Sequence, residues 1–452
     1  MFPEKDEMGS GKDNEQYRLV STPGLTLLQT IGAGPIRGLY YTSTGVLFAV
    51  SGSNVYLLNS AFQATLIGTL LTSSGQVGMA DNGIQLVIVD GPNGYYTTLA
   101  TPSSVTQIVN SSWLGSQTVT FIDGYFVFVV PNSNEFYLSD LNAVTFNNPA
   151  LTAKNGLPDN IVVAINLNRN VWLLGSQTSE IWYDAGNALN PLQYIQGTLM
   201  QYGCCAVYST AVVGNTLFWL GQDRNGAGIV YMANGYAPQR VSNHAVEQAI
   251  QGYSSFTDAV AWSYQENGHQ FYVLNFPTGN ATWVFDIATN MWHERAYLSS
   301  GSYTRILSGT YAFAYGLHLT GDYTNGNIYL QSSIVYSDNG NAIKRTRISP
   351  HISDNMVRIS FKSFQLDMEP GQGLDGSSQG SNPLAMLSWS DDGGNSYSDE
   401  MTASLGKDGV TQARCLFRRL GYSRNRVFKV SISDPVPVKI NGATLELEEH
   451  ES

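Results

Sequence analysis

Seven stretches of the chain, opening near Gly38, Gly78, Val119, Asn160, Ser209, Asp258 and Leu307, repeat one grammar. Each runs strand, tight turn marked by Gly or Asn, apolar strand, second turn, and a strand carrying an aromatic. The spacing is about 40 residues early and nearly 50 later, a period that belongs to stacked or radial repeats. The first unit runs from Gly38 to Asn59 and opens Gly38-Leu-Tyr-Tyr-Thr-Ser-Thr-Gly-Val-Leu-Phe-Ala-Val50, and Phe121-Ile-Asp-Gly-Tyr-Phe-Val-Phe-Val-Val130 keeps its cadence. Runs that are apolar without alternation fit strands buried on both faces, and Asn-Gly and Asp-Gly pairs fit two-residue hairpins. Sheets stacked face to face around an axis provide that burial and leave few long edges. The reading is all-β: a β-propeller of six or seven blades, six if one unit is a linker.

Only 13% of the 452 residues are charged while 12% are aromatic, with 45 Gly and 26 Tyr. Globular chains carry about 25% charge, so most strand faces here are expected to lie against neighbours. The length calls for two cores. No apolar run reaches the roughly 18 residues of a membrane span; the strongest, Phe121 to Val130, is interrupted by Asp123 and Gly124. Met1-Phe-Pro-Glu-Lys-Asp-Glu7 lacks the basic and apolar regions of a secretion signal. Cys204, Cys205 and Cys415 have neither disulfide-framework nor metal spacing, and read as buried residues of a chain made in a reducing cytosol.

The grammar changes near Ile343. Strand-like runs at 357–369, 383–390, 412–420, 427–433 and 438–446, some alternating, predict a β-sandwich of strands covered on one face. The expected domains are a propeller over 1–340, with 1–17 partly irregular, and a sandwich-like domain over 341–452. One helix is expected, Ser242 to Tyr253, capped by Ser242 or Asn243. Charge divides at the same place. Residues 1–340 hold 10 Lys plus Arg against 21 Asp plus Glu, a net of −11, whereas 341–452 hold 13 against 14, a net of −1. A chain so poor in cations over its first part is a weak phosphate binder. Arg414, Arg418, Arg419, Arg424 and Arg426 form a candidate partner-facing basic patch, with Arg stems covering a sheet face as the plainer alternative. Ser390, Asp392, Gly394 and Tyr397 fit S-x-D-x-G-x-x-aromatic and resemble the Asp-box hairpin, a structural turn whose side chains bond its own amides.

No catalytic, cofactor or metal site is expected. Asp-box propellers include sialidases, so a carbohydrate-binding or sialidase-like propeller is the alternative reading. The arginines open to such a site are Arg18, Arg37, Arg169, Arg224, Arg240, Arg295 and Arg305, and nothing in their spacing makes them converge. Glu294 beside His293 is an acid-base pair only in principle. His244, His269, His293, His318, His351 and His450 lack ligand spacing. Asp322-Tyr-Thr-Asn-Gly-Asn327 lacks the acids of a calcium loop and reads as a hairpin turn. Trp113, Trp172, Trp182 and Trp262 sit in strand patterns and are assigned to the core rather than to sugar platforms.

Leu19-Val-Ser-Thr-Pro-Gly-Leu25, Gln239-Arg-Val-Ser-Asn-His-Ala-Val-Glu-Gln-Ala-Ile250 and Val284-Phe-Asp-Ile-Ala-Thr-Asn-Met-Trp-His-Glu-Arg295 carry a resemblance. With Trp389-Ser-Asp-Asp-Gly-Gly394, Phe417-Arg-Arg-Leu-Gly421 and Ser433-Asp-Pro435, they are similar in order and spacing to the packaged DNA stabilization proteins of short-tailed bacteriophages. The likeness covers nearly the whole chain and departs at Met1-Phe-Pro-Glu4, where the pattern is entered late. It implies a tail hub or nozzle, a non-enzymatic virion protein made in the host cytoplasm. Such a hub is a homo-hexamer below the portal-bound adaptor ring. DNA passes through without sequence-specific binding, and tail spikes or fibres and the tail needle or plug dock on it.

Overall fold

The computed structural model describes residues 1–5, 17–147, 149, 151–224, 226–355 and 357–450. Two compact units emerge: residues 27–296 with 304–330, and residues 1–26 with 297–303 and 331–452. No helix among the described residues is long and apolar enough to cross a membrane.

The larger unit contains seven antiparallel blades. Their innermost strands are Ile36–Tyr41, Gly78–Asp81, Val119–Ile122, Ile161–Leu167, Ala211–Val213, Val260–Glu266 and Ser308–Ala314. The second strand of a blade is deeply covered, as in Leu47–Ser51, buried at every position. That is why the apolar runs do not alternate: both faces of each sheet meet another sheet. Phe48, Val50 and Ile67 pack on Leu86, Ile88 and Tyr95 between blades one and two. Comparable clusters join each blade to the next as far as the sixth. Trp262 stacks on Tyr311 at 5.1 Å and 9° between the sixth and seventh. Ala312, Leu319 and Ile328 of the seventh meet Ile36, Leu39 and Leu47 of the first, which closes the ring.

Two-residue hairpins fix the register inside the blades. Ile122 pairs with Tyr125 around Asp123-Gly124, and Glu266 with His269 around Asn267-Gly268. Both central residues have positive φ, 45° and 101° in the first and 52° and 83° in the second, the type I′ geometry that matches strand twist. Asn168-Arg169, at 52° and 61°, makes the same turn without glycine.

The seventh blade takes its outer strand from the start of the chain: Gly24–Thr30 lies beside Asn327–Ser332. Ile31 N donates to Gly326 O at 2.7 Å, and Thr30 Oγ1 to Asn327 Oδ1 at 2.7 Å. The approach is tight enough that a Cβ on Gly326 would sit 2.0 Å from Ile31 O. A second fastening joins blades three and four. The buried Lys154 ammonium donates to Asp159 Oδ1 at 2.5 Å and to Thr178 O and Oγ1 at 3.0 and 2.8 Å. Fully buried Glu180 accepts from the amides of Asn155 and Gly156 and from Trp182 Nε1.

The expected helix is shorter than predicted, His244–Gln251. Asn243 is the cap, its Oδ1 accepting from Val246 N at 3.0 Å. Ser242 instead holds Glu247, donating to its Oε1 at 2.6 Å, and Val246 and Ile250 join the core between blades five and six.

The smaller unit is a β-sandwich. One sheet holds Phe2–Lys5, Tyr17–Val20, Lys439–His450, Arg358–Met368 and Cys415–Arg418; the other holds Arg345–Ile348, Val427–Ile432, Leu384–Ser390 and Met401–Ser404. Phe361, Phe364, Phe417, Phe428, Leu387 and Ile432 fill the space between them. The observed units differ from the expected division of 1–340 and 341–452. Leu19 and Val20 pair with Ile440 and Lys439, and Met1 and Leu19 pack on the sandwich core, so residues 1–26 belong here. Residues 331–340 belong to the same unit. Of the segment expected to be partly irregular, Phe2–Lys5 is a strand, and residues 6–16 lie outside the described residues.

Gly326→Ala is expected to destabilise the larger unit by about 3 kcal/mol, the upper range of overpacking, in urea unfolding. Gly226→Ala, where a Cβ meets nothing within 4 Å, serves as the near-neutral control. Lys154→Met should cost about 3 to 5 kcal/mol because Asp159 loses its cation. Burial alone would raise the Asp159 carboxyl, but bonds from Lys154, Thr178 and two amides outweigh it and hold the group below its ordinary value. A depressed carboxylate contributes stability above its unfolded pKa of about 3.9 and loses it as pH falls through the folded value. Acidification below about pH 4 should therefore destabilise the parent more than Asp159→Asn, measured by urea unfolding at both pH values.

Candidate functional site

The innermost strands surround an axis, and Tyr208 lies across one end of it. The residue precedes Ala211–Val213 of blade five, and its backbone O accepts from Ala261 N at 2.8 Å. Its side chain spans to blades two and three, where Oη lies 3.3 Å from Gln76 O and 3.1 Å from Gln117 O. Both carbonyls stand just before the innermost strands Gly78–Asp81 and Val119–Ile122. Burial, opposed by the nearby Arg37 charge, pushes the Tyr208 phenol up to about 12, so it stays protonated and able to donate.

Arg37 is the neighbouring brace. Its guanidinium donates to Gly75 O at 2.6 Å, Gly52 O at 2.9 Å, Thr72 O at 2.8 Å and Thr72 Oγ1 at 2.8 Å. Thr72 Oγ1 donates onward to Asp90 Oδ2 at 2.7 Å, which locks the turns of blades one and two. Beyond Tyr208 the axis holds a cavity of about 600 Å³, and a second of about 580 Å³ shares Ser263, Tyr311 and Phe313 with it.

The arginines weighed for a sugar carboxylate do not converge. Among the described residues Arg37 alone of them lines these cavities. Arg169 pairs with Asp123 at 3.0 Å, Arg240 with Glu247, and Arg305 lies 3.5 Å over the Tyr323 ring. Arg18, in the smaller unit, pairs with Glu4 at 2.5 Å. His293 and Glu294 are neighbours on one strand and face opposite ways, His293 buried and Glu294 exposed. Burial lowers the His293 imidazole well below its ordinary value. His269 Nδ1 lies 2.7 Å from Asp286 Oδ2, inside the sixth blade. No group of three or more His, Cys, Asp or Glu among the described residues is placed to hold a metal ion. Asp322 forms a hairpin turn, its carboxylate taking Thr324 N at 2.7 Å and Tyr329 Oη at 2.7 Å. Trp172 and Trp182 are buried in inter-blade clusters, while Trp262, 6% exposed, lines the axial cavity.

In the sandwich, Ser390 Oγ accepts from Gly394 N at 2.7 Å and donates to Asp392 Oδ1 at 2.6 Å. Asp392 takes Ser396 N at 3.0 Å, Gly394 has φ +100°, and the partly buried Tyr397 ring lies 3.8 Å from Lys429 Nζ. Bonds from Ser390 and Ser396 hold the Asp392 carboxyl well below the usual range. Apart from the Lys429 contact, this chemistry is internal to the turn.

Arg414, Arg418, Arg419 and Arg424 are exposed. Arg426 corrects the predicted patch. It is 2% exposed, forks onto Asp391 at 2.7 and 2.8 Å, donates to Leu420 O, and lies over the Phe361 and Trp389 rings. A guanidinium with a half-exposed carboxylate on one side and aromatic faces on the other is a core brace, and spacing alone does not separate it from its exposed neighbours. Tyr208 also went unmarked by the sequence, since nothing in Ala206-Val-Tyr-Ser-Thr210 tells a residue crossing the axis from one in a turn.

A family profile described as bacteriophage P22 Gp10, beta-propeller, matches residues 6–335, and one described as bacteriophage P22 Gp10, beta-sandwich, matches residues 344–448. No curated protein matches the chain in sequence. Among solved structures, the chain is similar to a streptogramin B lyase (7% identity, 70% of this chain, 97% of that one, TM-score 0.44). It is also similar to a catalytically inactive virginiamycin B lyase from Staphylococcus aureus (9% identity, 70% and 99%, TM-score 0.45). The WD40 beta propeller domain of Doa1 is comparable (9% identity, 69% and 97%, TM-score 0.42). At these scores the solved structures carry no argument about function.

Tyr208→Phe removes the hydroxyl and should lower the unfolding free energy by about 1 kcal/mol. Denaturant titration of parent and variant measures the difference, and an unchanged midpoint would show that the bolt contributes nothing to stability.

Proposed function

The chain belongs to the family of bacteriophage P22 Gp10, the packaged DNA stabilization proteins of the phage tail hub, and from that premise we propose how it works there. Six copies form a ring below the portal and its adaptor ring. The ring continues the DNA channel, retains the packaged genome, and receives tail spikes or fibres and the tail needle or plug.

One observation carries this reading: the axis of the single propeller is a dead end. Tyr208 bars it, and what remains is a cavity of about 600 Å³, the size of a small-molecule site and not a duplex passage. A conduit for DNA is therefore bounded by several chains, with each propeller serving as a solid block of the wall. The net −11 of residues 1–340 supports a wall that repels phosphate, and part of that charge faces the lumen. Arg414, Arg418, Arg419 and Arg424 supply exposed cations on the sandwich for an acidic surface of a tail partner. The work is geometric, and no step in it needs a catalytic group.

The test is electron microscopy of the chain added to portal and adaptor rings. The expected result is a six-fold ring whose lumen lies between neighbouring chains and is lined mainly by carboxylates. Absence of a ring on the complex, or a lumen lined mainly by the few basic residues of the propeller, would overturn the corresponding part of the reading.

A further inference from the structure

We propose that the open end of the propeller axis is a binding cup for a neutral hexopyranose. The innermost strands lead away from the Tyr208 bolt, so the cavity is closed at that end and open at the other, where Phe313 is 53% exposed. The two contiguous cavities, about 600 and 580 Å³, fall in the size range of small-molecule sites.

The rim combines the two chemistries a sugar ring presents. Its apolar face is matched by aromatic surface: Phe313 lies 5.0 Å from His318, and Tyr311, whose hydroxyl lies 2.8 Å from His318 Nδ1, stacks on Trp262. Its hydroxyl edge is matched by planar amides. Gln270 Nε2 bonds Gln265 Oε1 at 3.4 Å, which leaves the Gln270 oxygen as acceptor and the Gln265 amide nitrogen as donor. Trp262 Nε1 and Thr310 Oγ1 lie buried behind this wall, in residues 6% and 9% exposed, and are not open to an occupant.

Charge selects a neutral sugar. Among the lining residues the one cation is Arg37, and its guanidinium is committed to Gly75, Gly52 and Thr72. Glu266 lies on the rim, and among the described residues no uncommitted Lys or Arg lines the cavities to pair a carboxylate. Sialic acids and uronic acids are therefore excluded on the same grounds that favour glucose, galactose, mannose or N-acetylglucosamine.

Saturation-transfer NMR and tryptophan fluorescence on the isolated full chain, titrated with those four sugars and with N-acetylneuraminic acid, test the site without the portal complex. The expected result is saturable binding of at least one neutral sugar, with Kd on the order of 1 mM, and none of the acid. Phe313→Ala and Gln270→Ala should each weaken it about tenfold or more. Melting curves confirm that both variants fold, and a crystal soak of the parent locates the sugar independently. No saturable signal from any neutral sugar, equal binding of the acid, undiminished binding by both variants, or a sugar located elsewhere would overturn the proposal. Because no ring is needed for this experiment, its failure leaves the tail-hub reading untouched, and the converse also holds.

Discussion

Closure of the seventh blade is the constraint on which the larger unit depends. Each of the first six blades has a strand that is apolar on both faces, and such a strand is stable only where a sheet lies on each side of it. Six of the seven junctions join consecutive segments of chain, but the last must bring residues near 30 beside residues near 327. That contact is made at hydrogen-bond distance between Ile31 and Gly326, with no room for a side chain. Without it, Leu39, Leu47 and Ala312 would face water on the first and last blades. The long loop thereby closed is entropically costly, and the apolar cluster across the seam offsets the cost.

The acidity of the propeller has a local origin. Asp81, Asp90, Asp140, Asp184, Asp223, Asp286 and Asp322 each accept a backbone amide in a connection between strands. The carboxylate is there because an aspartate can satisfy turn amides that no strand reaches. Since the turns are spread over blades two to seven, so is the charge. Some of these carboxylates, Asp90, Asp286 and Asp322 among them, are buried in their turns, so the acidity serves the hairpins first and only the remainder reaches the surface.

Much of this was legible in the sequence because it is periodic or local. The seven units opening near Gly38 through Leu307 match seven sheets, and Asp123-Gly124 and Asn267-Gly268 sit where two-residue turns are needed. The hydroxyl, carboxylate and glycine at Ser390, Asp392 and Gly394 act within five residues of one another. What stayed hidden depends on contacts distant along the chain. Leu19 pairs with Ile440, Arg426 reaches Asp391, and Tyr208 reaches Gln76 and Gln117. No window of sequence contains both partners of any of these. Arg426 shows the limit best: four neighbouring arginines are exposed, and only the fold places the fifth among aromatic rings.

Tyr208 links architecture to role by a simple physical route. A seven-bladed ring leaves axial space because inner strands cannot all meet at a point, and such space fills with water, a ligand or protein. Here one phenol closes an end while Trp262, Tyr311 and Phe313 furnish the other, so the axis is blocked but not filled. A blocked axis makes the block stiff, since Tyr208 ties blade five to blades two and three across the ring. The tie couples blades that are not neighbours in the ring, which an open axis would leave joined only through the blades between them.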